Sequence, residues 1–210
     1  MKRILTAILL LNITFSLYAQ KVDTILTTDI YKSYFSYKYK LPLYVSYRLY
    51  KGGGNCGRKS DNFKNTRMID MATAKDFAGS GFDQGHMASA EDFAYDCIKQ
   101  EATFRFENLL PQYPNLNRGI WKSGENDVRE MSQTDSLKII AGGKFGKKTF
   151  GKKVGIPNYC FKIVISLTTN QVTHVYWYTN KVKDNIMQEI TIEALFDKKH
   201  LGYVIDLEKI

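Results

Sequence analysis

The chain has 210 residues and a mass of 24.1 kDa, which is enough to bury a hydrophobic core and excludes a mini-protein held together only by disulfides or metal. With 44% hydrophobic residues, 24% charged residues and four Pro, the composition is typical of a globular protein and shows no low-complexity signature. The formal charge of +9 indicates a basic surface and an anionic partner, although solubility alone would also explain it.

The N-terminus has the three parts of a secretory signal peptide. Met1-Lys2-Arg3 is followed by an apolar run that ends at Tyr18 and by the small residue Ala19. We therefore expect cleavage near Ala19, a secreted or periplasmic protein with a formal charge of +7, and one domain over 20–210. The run is too short for a membrane span, and no cysteine follows it closely, so no membrane anchor is expected.

The predicted elements after the signal peptide mix strands and helices. Alternating and β-branched runs predict strands, and apolar residues at helical spacing predict helices. In chain order the pattern gives a strand at 44–50, a Gly-rich loop at 51–60, a helix within 88–100, a helix at about 118–132, a strand at 136–140, a hairpin of 162–167 with 172–178, and a weaker helix at 191–198. Strands on both sides of a helical middle predict an α+β fold.

One long stretch of the chain carries positive charge without any acid. From Ser136 to Lys183 there is no Asp or Glu, yet there are nine lysines, at 138, 144, 147, 148, 152, 153, 162, 181 and 183. A field of one sign attracts a polyanion, and nucleic acid is the commonest such target because each neutralised phosphate releases a counterion.

The cysteines indicate no metal chemistry. Cys56, Cys97 and Cys160 cannot all pair within one chain, which leaves one bridge with a free thiol, or no bridge. Their spacings match no zinc-ligand pattern, and the three histidines are scattered, so a zinc hydrolase is a poor interpretation.

Three histidines are available for acid–base chemistry. His174 lies in an alternating strand pattern, and His200 follows two lysines, so both favour a structural or solvated role. His86 ends the string Ser80-Gly-Phe-Asp-Gln-Gly-His, in which the glycines allow a tight turn and Asp83 is close enough to orient an imidazole.

A second polar cluster follows about twenty residues later. It contains Asn108-Leu-Leu-Pro-Gln112, Asn117-Arg118-Gly-Ile-Trp121, Glu125 and Arg129. On an ideal helix that begins at Asn117, the side chains of Arg118, Glu125 and Arg129 lie along one edge of an apolar stripe. The alternative is a core-packed Trp121 beside an ordinary surface pair of Glu125 and Arg129.

Together the two clusters resemble the DNA/RNA non-specific endonuclease family, the ββα-metal nucleases with a His-Me finger. That family's signature is Asp-Arg-Gly-His, then Asn-x-x-Pro-Gln, then Asn-x-x-x-Trp-x-x-x-Glu, and this chain matches it in order and spacing at 83–86, 108–112 and 117–125. Arg58 with Phe63, and Ile156-Pro157 with Phe161-Lys162, resemble flanking elements. The likeness covers roughly 41–202 and implies an α+β fold with a central antiparallel sheet flanked by helices.

The resemblance also implies roles for individual residues. His86 would be the general base that deprotonates a water, and Asn117 would ligate one Mg²⁺, or Mn²⁺ in its place, directly. Glu125 would hold the hydrated metal through a water, and Asn108 would help position the catalytic site. Arg58 and Arg129 would contact phosphate oxygens. The implied partner is DNA or RNA, cleaved to products with a 5′-phosphate, and no organic cofactor is implied.

One position departs from the family pattern. Gln84 stands where the family has Arg, so a neutral donor replaces a charged one, which forms a hydrogen bond roughly twice as strong. We expect Arg118 to supply the missing charge among the residues that bind substrate. The alternative is a catalytically weakened homologue that binds nucleic acid on the same fold.

Overall fold

The structure is a computed structural model that describes residues 20–58, 62–197 and 201–207. The predicted signal peptide, 1–19, and His200 lie outside the described residues. Within the described part of the chain, no helix is both long enough and apolar enough to cross a membrane.

The core of the fold is a seven-stranded, fully antiparallel sheet. Its strand order is β1-β2-β3-β6-β7-β8-β9, so β6 crosses over to pair with β3 after the chain has built the middle segment. The strands are Thr24–Thr27 (β1), Tyr31–Ser36 (β2), Leu41–Leu49 (β3), Leu137–Phe150 (β6), Val154–Ser166 (β7), Gln171–Thr179 (β8) and Met187–Glu189 (β9).

The middle segment forms a separate ribbon and the longest helix. β4 (Asp83–His86) pairs antiparallel with β5 (Leu109–Gln112), which places His86 opposite Leu109. The other elements are the helices Ala74–Phe77 (α1), Cys97–Ala102 (α2), Lys122–Met131 (α3) and Ile192–Phe196 (α4), the 3₁₀ turns Ala90–Phe93 and Phe106–Asn108, and a helical stretch Leu116–Trp121 that leads into α3.

The two faces of the large sheet have different neighbours. Tyr47 and Lys162 project from one face, where Tyr47 bonds to Asp92 and Lys162 lies against Trp121. Tyr44 projects from the other face and stacks on Tyr203 from the C-terminal segment. Because side chains alternate along a strand, the ribbon and α3 cover the first face and the C-terminal segment covers the second.

The strand predictions are confirmed and extended. The predicted strands at 44–50 and 136–140 belong to β3 and β6, and the predicted hairpin is formed by β7 and β8. The predicted helix at 191–198 corresponds to α4. The α+β fold with a central antiparallel sheet is confirmed.

Two helix predictions need correction in detail. The segment 88–100 forms a 3₁₀ turn and then α2 rather than one helix, because Asp96 accepts hydrogen bonds from Ile98 and Lys99 and so caps a new helix. The segment 118–132 is interrupted at Gly119, whose φ of −105° and ψ of −114° are not helical. An ideal helical wheel drawn across Gly119 is therefore wrong, because the backbone changes direction there.

The cysteines adopt one of the two arrangements left open. Cys56 and Cys97 form a disulfide, and Cys160 is free and buried. The disulfide fastens the loop after β3 to the first residue of α2, and Arg58 lies two residues beyond it.

Candidate active site

A cavity of about 550 Å³ opens between the ribbon and the helical stretch before α3. It is lined by residues from four parts of the fold, and most of them are polar or charged. They are Arg58, Phe63, Asp83, Gln84, His86, Ser89, Glu91, Phe104, Asn117, Arg118, Lys122, Glu125, Asn126 and Arg129. Seven of the residues predicted to act at one site therefore do meet: Arg58, Gln84, His86, Asn117, Arg118, Glu125 and Arg129.

His86 enters the cavity from the end of β4. Its ring packs against Phe63 and Phe104, with ring centroids 4.6 Å apart in both cases. Nε2 is buried and has no hydrogen-bond partner among the residues that the structure describes, so Nδ1 is the ring nitrogen left to face the cavity. Burial, with a smaller contribution from the Arg58 charge, lowers the pKa of His86 to about 3. The imidazole is therefore neutral at neutral pH.

Asp83, at the other end of β4, accepts hydrogen bonds from the side chains of Asn117 and Arg118. Its Oδ2 accepts a hydrogen bond from Asn117 Nδ2 at 3.0 Å. Arg118 binds the same carboxylate with two donors, Nε at 2.8 Å and Nη2 at 2.7 Å. Because the Asn117 amide nitrogen is occupied by Asp83, the amide oxygen is directed elsewhere and is available as a ligand.

Glu125 lies one turn into α3 and is held by a tryptophan. Trp121 Nε1 donates a hydrogen bond to Glu125 Oε1 at 3.1 Å. Among the described residues, Oε2 has no hydrogen-bond partner, and Glu125 lines the cavity. Burial raises the pKa of Glu125, and the positive charge of Lys162 opposes that change. The interpretation of Glu125 and Arg129 as an ordinary surface pair is wrong, because Arg129 bonds to Asp92 instead.

Arg129 lines the cavity, but most of its N–H groups donate hydrogen bonds to other side chains of the protein. Nε and Nη2 contact Asp92 Oδ1 at 3.0 Å, and Nη1 donates to Asn126 at 2.9 Å. Asp92 is 1% exposed and also accepts a hydrogen bond from Tyr47 Oη at 2.7 Å. Asp92 has no motif around it, and the sequence analysis did not identify it.

A second residue beneath the cavity was misread from the sequence. Lys162 was counted among nine lysines of a surface field, but its side chain is 0% exposed. Its Nζ lies 4.6 Å from the centre of the Trp121 ring and has no hydrogen-bond partner in the described part of the chain. Burial lowers the pKa of Lys162, and the Glu125 and Asp92 carboxylates oppose that change.

Arg58 approaches the cavity from the loop fastened by the disulfide. Its Nε and Nη2 contact Glu91 Oε1 at 3.0 and 2.9 Å, and its guanidinium lies over the Phe104 ring. Gln84 lines the same cavity from β4. The Arg118 side chain is 72% exposed, so its guanidinium meets solvent while Asp83 fixes its position.

Asn108 does not line the cavity. It is fully buried, its Oδ1 accepts from Ala88 N at 2.8 Å, and its Nδ2 donates to the carbonyls of Ala88 and Thr103 at 2.9 Å. These bonds fix the chain just after His86. Asn108 therefore positions the end of β4 rather than contacting a substrate.

The donor set suits a hydrated Mg²⁺ better than a zinc ion. Within 20–58, 62–197 and 201–207, no three His, Cys, Asp or Glu side chains come together to hold a metal. The cavity instead offers one amide oxygen, from Asn117, and one carboxylate, from Glu125. Hard oxygen ligands and few protein contacts fit an ion that keeps several waters. His174 lies on β8, outside the cavity-lining set.

The chain is similar to known nucleases. A family model described as DNA/RNA non-specific endonuclease matches residues 12–204. A nuclease from Nostoc is 37% identical over 121 residues, which cover 54% of this chain and 43% of the Nostoc protein. Human mitochondrial endonuclease G is 31% identical over 129 residues, which cover 53% of this chain and 43% of the human protein. The chain thus matches less than half the length of these relatives.

A solved structure shares the fold. A chain from the crystal structure of the EndoG/EndoGI complex, described as showing the mechanism of EndoG inhibition, superposes with a TM-score of 0.76 at 19% identity. The match covers 94% of this chain and 90% of that one.

Proposed function

Because the chain belongs to the DNA/RNA non-specific endonuclease family, we propose that it is a Mg²⁺-dependent nuclease that hydrolyses phosphodiester bonds of DNA, RNA or both. The observation that carries this proposal is the convergence of His86, Asn117 and Glu125 on one cavity with Arg58 and Arg118. A neutral base, two oxygen ligands and two guanidinium groups are what hydrolysis of a phosphodiester needs.

His86 acts as the general base. Its neutral imidazole takes a proton from a water, which attacks phosphorus opposite the leaving 3′ oxygen, and the product carries a 5′-phosphate. The aromatic rings of Phe63 and Phe104 keep the imidazole neutral and fix its plane. Asn108 anchors the backbone just beyond it, so the base stays in place during the reaction.

Asn117 would hold the metal directly, and Glu125 would hold it through a water. When bound, the metal would neutralise charge on the phosphate and stabilise the leaving oxygen. Asp83 orients the Asn117 amide, and Trp121 orients the Glu125 carboxylate. Mn²⁺, which accepts the same oxygen ligands, is expected to substitute.

Arg58, Arg118 and Arg129 provide the positive side of the cavity. Arg58 and Arg118 stand on different elements and are partly exposed, so a phosphate between them would receive donors from two directions. Arg118 supplies the charge that Gln84 lacks, and Arg129 contributes from the cavity floor. Contacts to phosphate carry no base information, so cleavage is expected to tolerate any sequence.

We place the enzyme outside the cytoplasm. The Lys2-Arg3 start, the apolar run and Ala19 support export with cleavage of 1–19, which leaves one nuclease domain over 20–210. A disulfide between Cys56 and Cys97 is consistent with an oxidising compartment.

The test is cleavage of plasmid DNA and of RNA by the purified protein, with Mg²⁺ or with a chelator. We expect fragments with 5′-phosphate ends in the presence of Mg²⁺ and no cleavage with the chelator. His86→Ala should abolish cleavage, and His174→Ala, which alters a histidine outside the cavity, should not. Binding of nucleic acid without cleavage at any metal concentration would favour the weakened binding homologue instead.

A further inference from the structure

Four charged side chains are packed together at the cavity, two acidic and two basic, of which two line it and two lie beneath it. They are Asp92, Glu125, Arg129 and Lys162, and Asp92 and Lys162 are almost completely excluded from solvent. A buried charge is costly unless an opposite charge compensates it. The four charges sum to zero, so the question is which cation compensates which anion.

The hydrogen bonds show that Arg129 compensates Asp92. Asp92 receives two contacts from Arg129 at 3.0 Å and one from Tyr47 at 2.7 Å, which leaves it well compensated. Arg129 makes no ion pair with Glu125 among the described residues. Glu125 and Lys162 therefore remain, and within 20–58, 62–197 and 201–207 no other opposite charge is bonded to either of them.

Trp121 connects the two remaining residues. Its ring face lies 4.6 Å from Lys162 Nζ, and its ring edge donates Nε1–H to Glu125 Oε1 at 3.1 Å. An ammonium over the face of an indole is attracted by the ring and makes the N–H at its edge a better donor. Tyr178 packs edge-on against the same indole, which limits its movement.

We propose that Lys162 is a positioning residue of the active site, which acts as the buried countercharge of Glu125 through the Trp121 ring. Lys162 extends from β7 in the middle of the large sheet, where it pairs with Ala141 on β6 and Tyr176 on β8. The rigid sheet thereby fixes the carboxylate that holds the metal's water. The inference rests on the proposed function only in linking Glu125 to the metal.

The charge assignment is tested by unfolding the purified protein in urea, without any nuclease assay. Lys162→Met should lower the urea midpoint by roughly 1 M or more, because it leaves the Glu125 carboxylate uncompensated. In the double variant Lys162→Met/Glu125→Gln, roughly half or more of the lost urea midpoint should be recovered. Adding Asp92→Asn instead should recover nothing, since Asp92 is compensated by Arg129.

If Lys162→Met does not fold, recovery of a folded protein in the Lys162→Met/Glu125→Gln pair gives the same answer. Equal recovery with Asp92→Asn, or recovery with neither, would overturn the assignment. These measurements stand even if the protein proves not to cleave nucleic acid, so the two proposals fail separately.

The positioning role is tested by steady-state cleavage. Lys162→Met should lower kcat roughly tenfold or more and leave KM for nucleic acid within about twofold, because Lys162 contacts no substrate. Lys32→Met is the matched control, since Lys32 lies on β2 of the same sheet and projects from the opposite face. An unchanged kcat, or a loss that appears only in KM, would contradict the positioning role.

Discussion

Asp83 Oδ2 accepts a hydrogen bond from Asn117 Nδ2 at 3.0 Å, across the 34 residues that separate them in the chain. The bond joins β4, which ends in the proposed general base, to the residue that we propose as the metal ligand. It also determines which end of the Asn117 amide is free. One carboxylate thus links the strand of His86 to the amide of Asn117.

Asp83→Asn tests that coupling. The substitution keeps the shape of the side chain and removes the charge that holds Arg118 and directs the Asn117 amide. We expect kcat to fall roughly tenfold to a hundredfold, since loss of a charged, oriented contact costs about 1.5–3 kcal/mol. Asp70→Asn, which removes an exposed partner of Lys40, should leave kcat unchanged. A wild-type rate in Asp83→Asn would refute the orienting role.

Arg118→Ala tests whether Arg118 takes over the role of the arginine that the family has at the position of Gln84. We expect a loss of roughly tenfold or more in kcat/KM, because a guanidinium contact to phosphate disappears. Gln84→Arg added to Arg118→Ala should restore much of the rate. Lys122→Ala, which removes another cation from the cavity lining, is the control and should have a smaller effect. If Arg118→Ala cleaves at the wild-type rate, Arg118 does not compensate for Gln84.

His86 should stay neutral well below the pH at which free histidine takes up a proton. Burial between Phe63 and Phe104 lowers its pKa to about 3, so the unfolded chain binds this proton more readily than the folded protein. Acidification between pH 6.5 and about 3 therefore lowers the free energy of unfolding through His86.

The measurement is an NMR titration of the histidine ring signals. The ring signal that is present in the wild type and missing in His86→Ala belongs to His86. Its chemical shift should not change between pH 8 and pH 5. An inflection of that signal near pH 6.5 would contradict the burial argument. In His86→Ala, the free energy of unfolding should depend less steeply on pH below 6.5 than in the wild type.

The disulfide should stabilise both the fold and the position of Arg58. Opening the Cys56–Cys97 link, which closes a loop over 41 positions of sequence, is expected to lower the free energy of unfolding by about 4 kcal/mol. Paired Cys56→Ser and Cys97→Ser substitutions should also raise KM more than they lower kcat, because we propose Arg58 as a substrate-binding residue. Cys160→Ala should remain as sensitive to reductant as the wild type. Unchanged stability in the paired variant would contradict this prediction.

The lysines at the tip of the β6–β7 hairpin should attract nucleic acid without taking part in cleavage. Lys147, Lys148, Lys152 and Lys153 are all exposed. Changing all four to Gln should weaken binding at low salt for every sequence tested. The slope of log affinity against log salt should become shallower by about 0.9 for each lost phosphate contact. kcat at saturating substrate should not change, and an unchanged salt slope would show that the hairpin does not meet the substrate.

Much of the fold could be predicted because its signals are local. Alternating apolar residues predict β3, β6, β7 and β8 in part, and the turn predicted at 168–171 indicates the pairing of the last two. The motif residues of the site also came from sequence, since their order and spacing are specific. They meet because β4 and β5 are neighbours, which places 83–86 against 109–112.

The rest depends on contacts between distant parts of the chain. A lysine in an acid-free stretch looks like surface charge, and nothing nearby in sequence shows that Lys162 lies under Trp121. Arg129 has Glu125 at helical spacing, yet it bonds to Asp92, which is 37 residues away. The change of direction at Gly119 likewise arises from where the backbone must go, so no helical wheel predicts it.

The cavity draws all but two of its lining residues, Arg58 and Phe63, from a single continuous segment, 83–129. A continuous segment of this kind could be grafted onto another protein scaffold. Its chemistry is nonetheless anchored from outside, since the charge beneath Trp121 comes from a strand of the large sheet. A graft of 83–129 alone would carry the base and the metal ligands into a new host. It would also need a host strand that supplies a lysine at the position of Lys162.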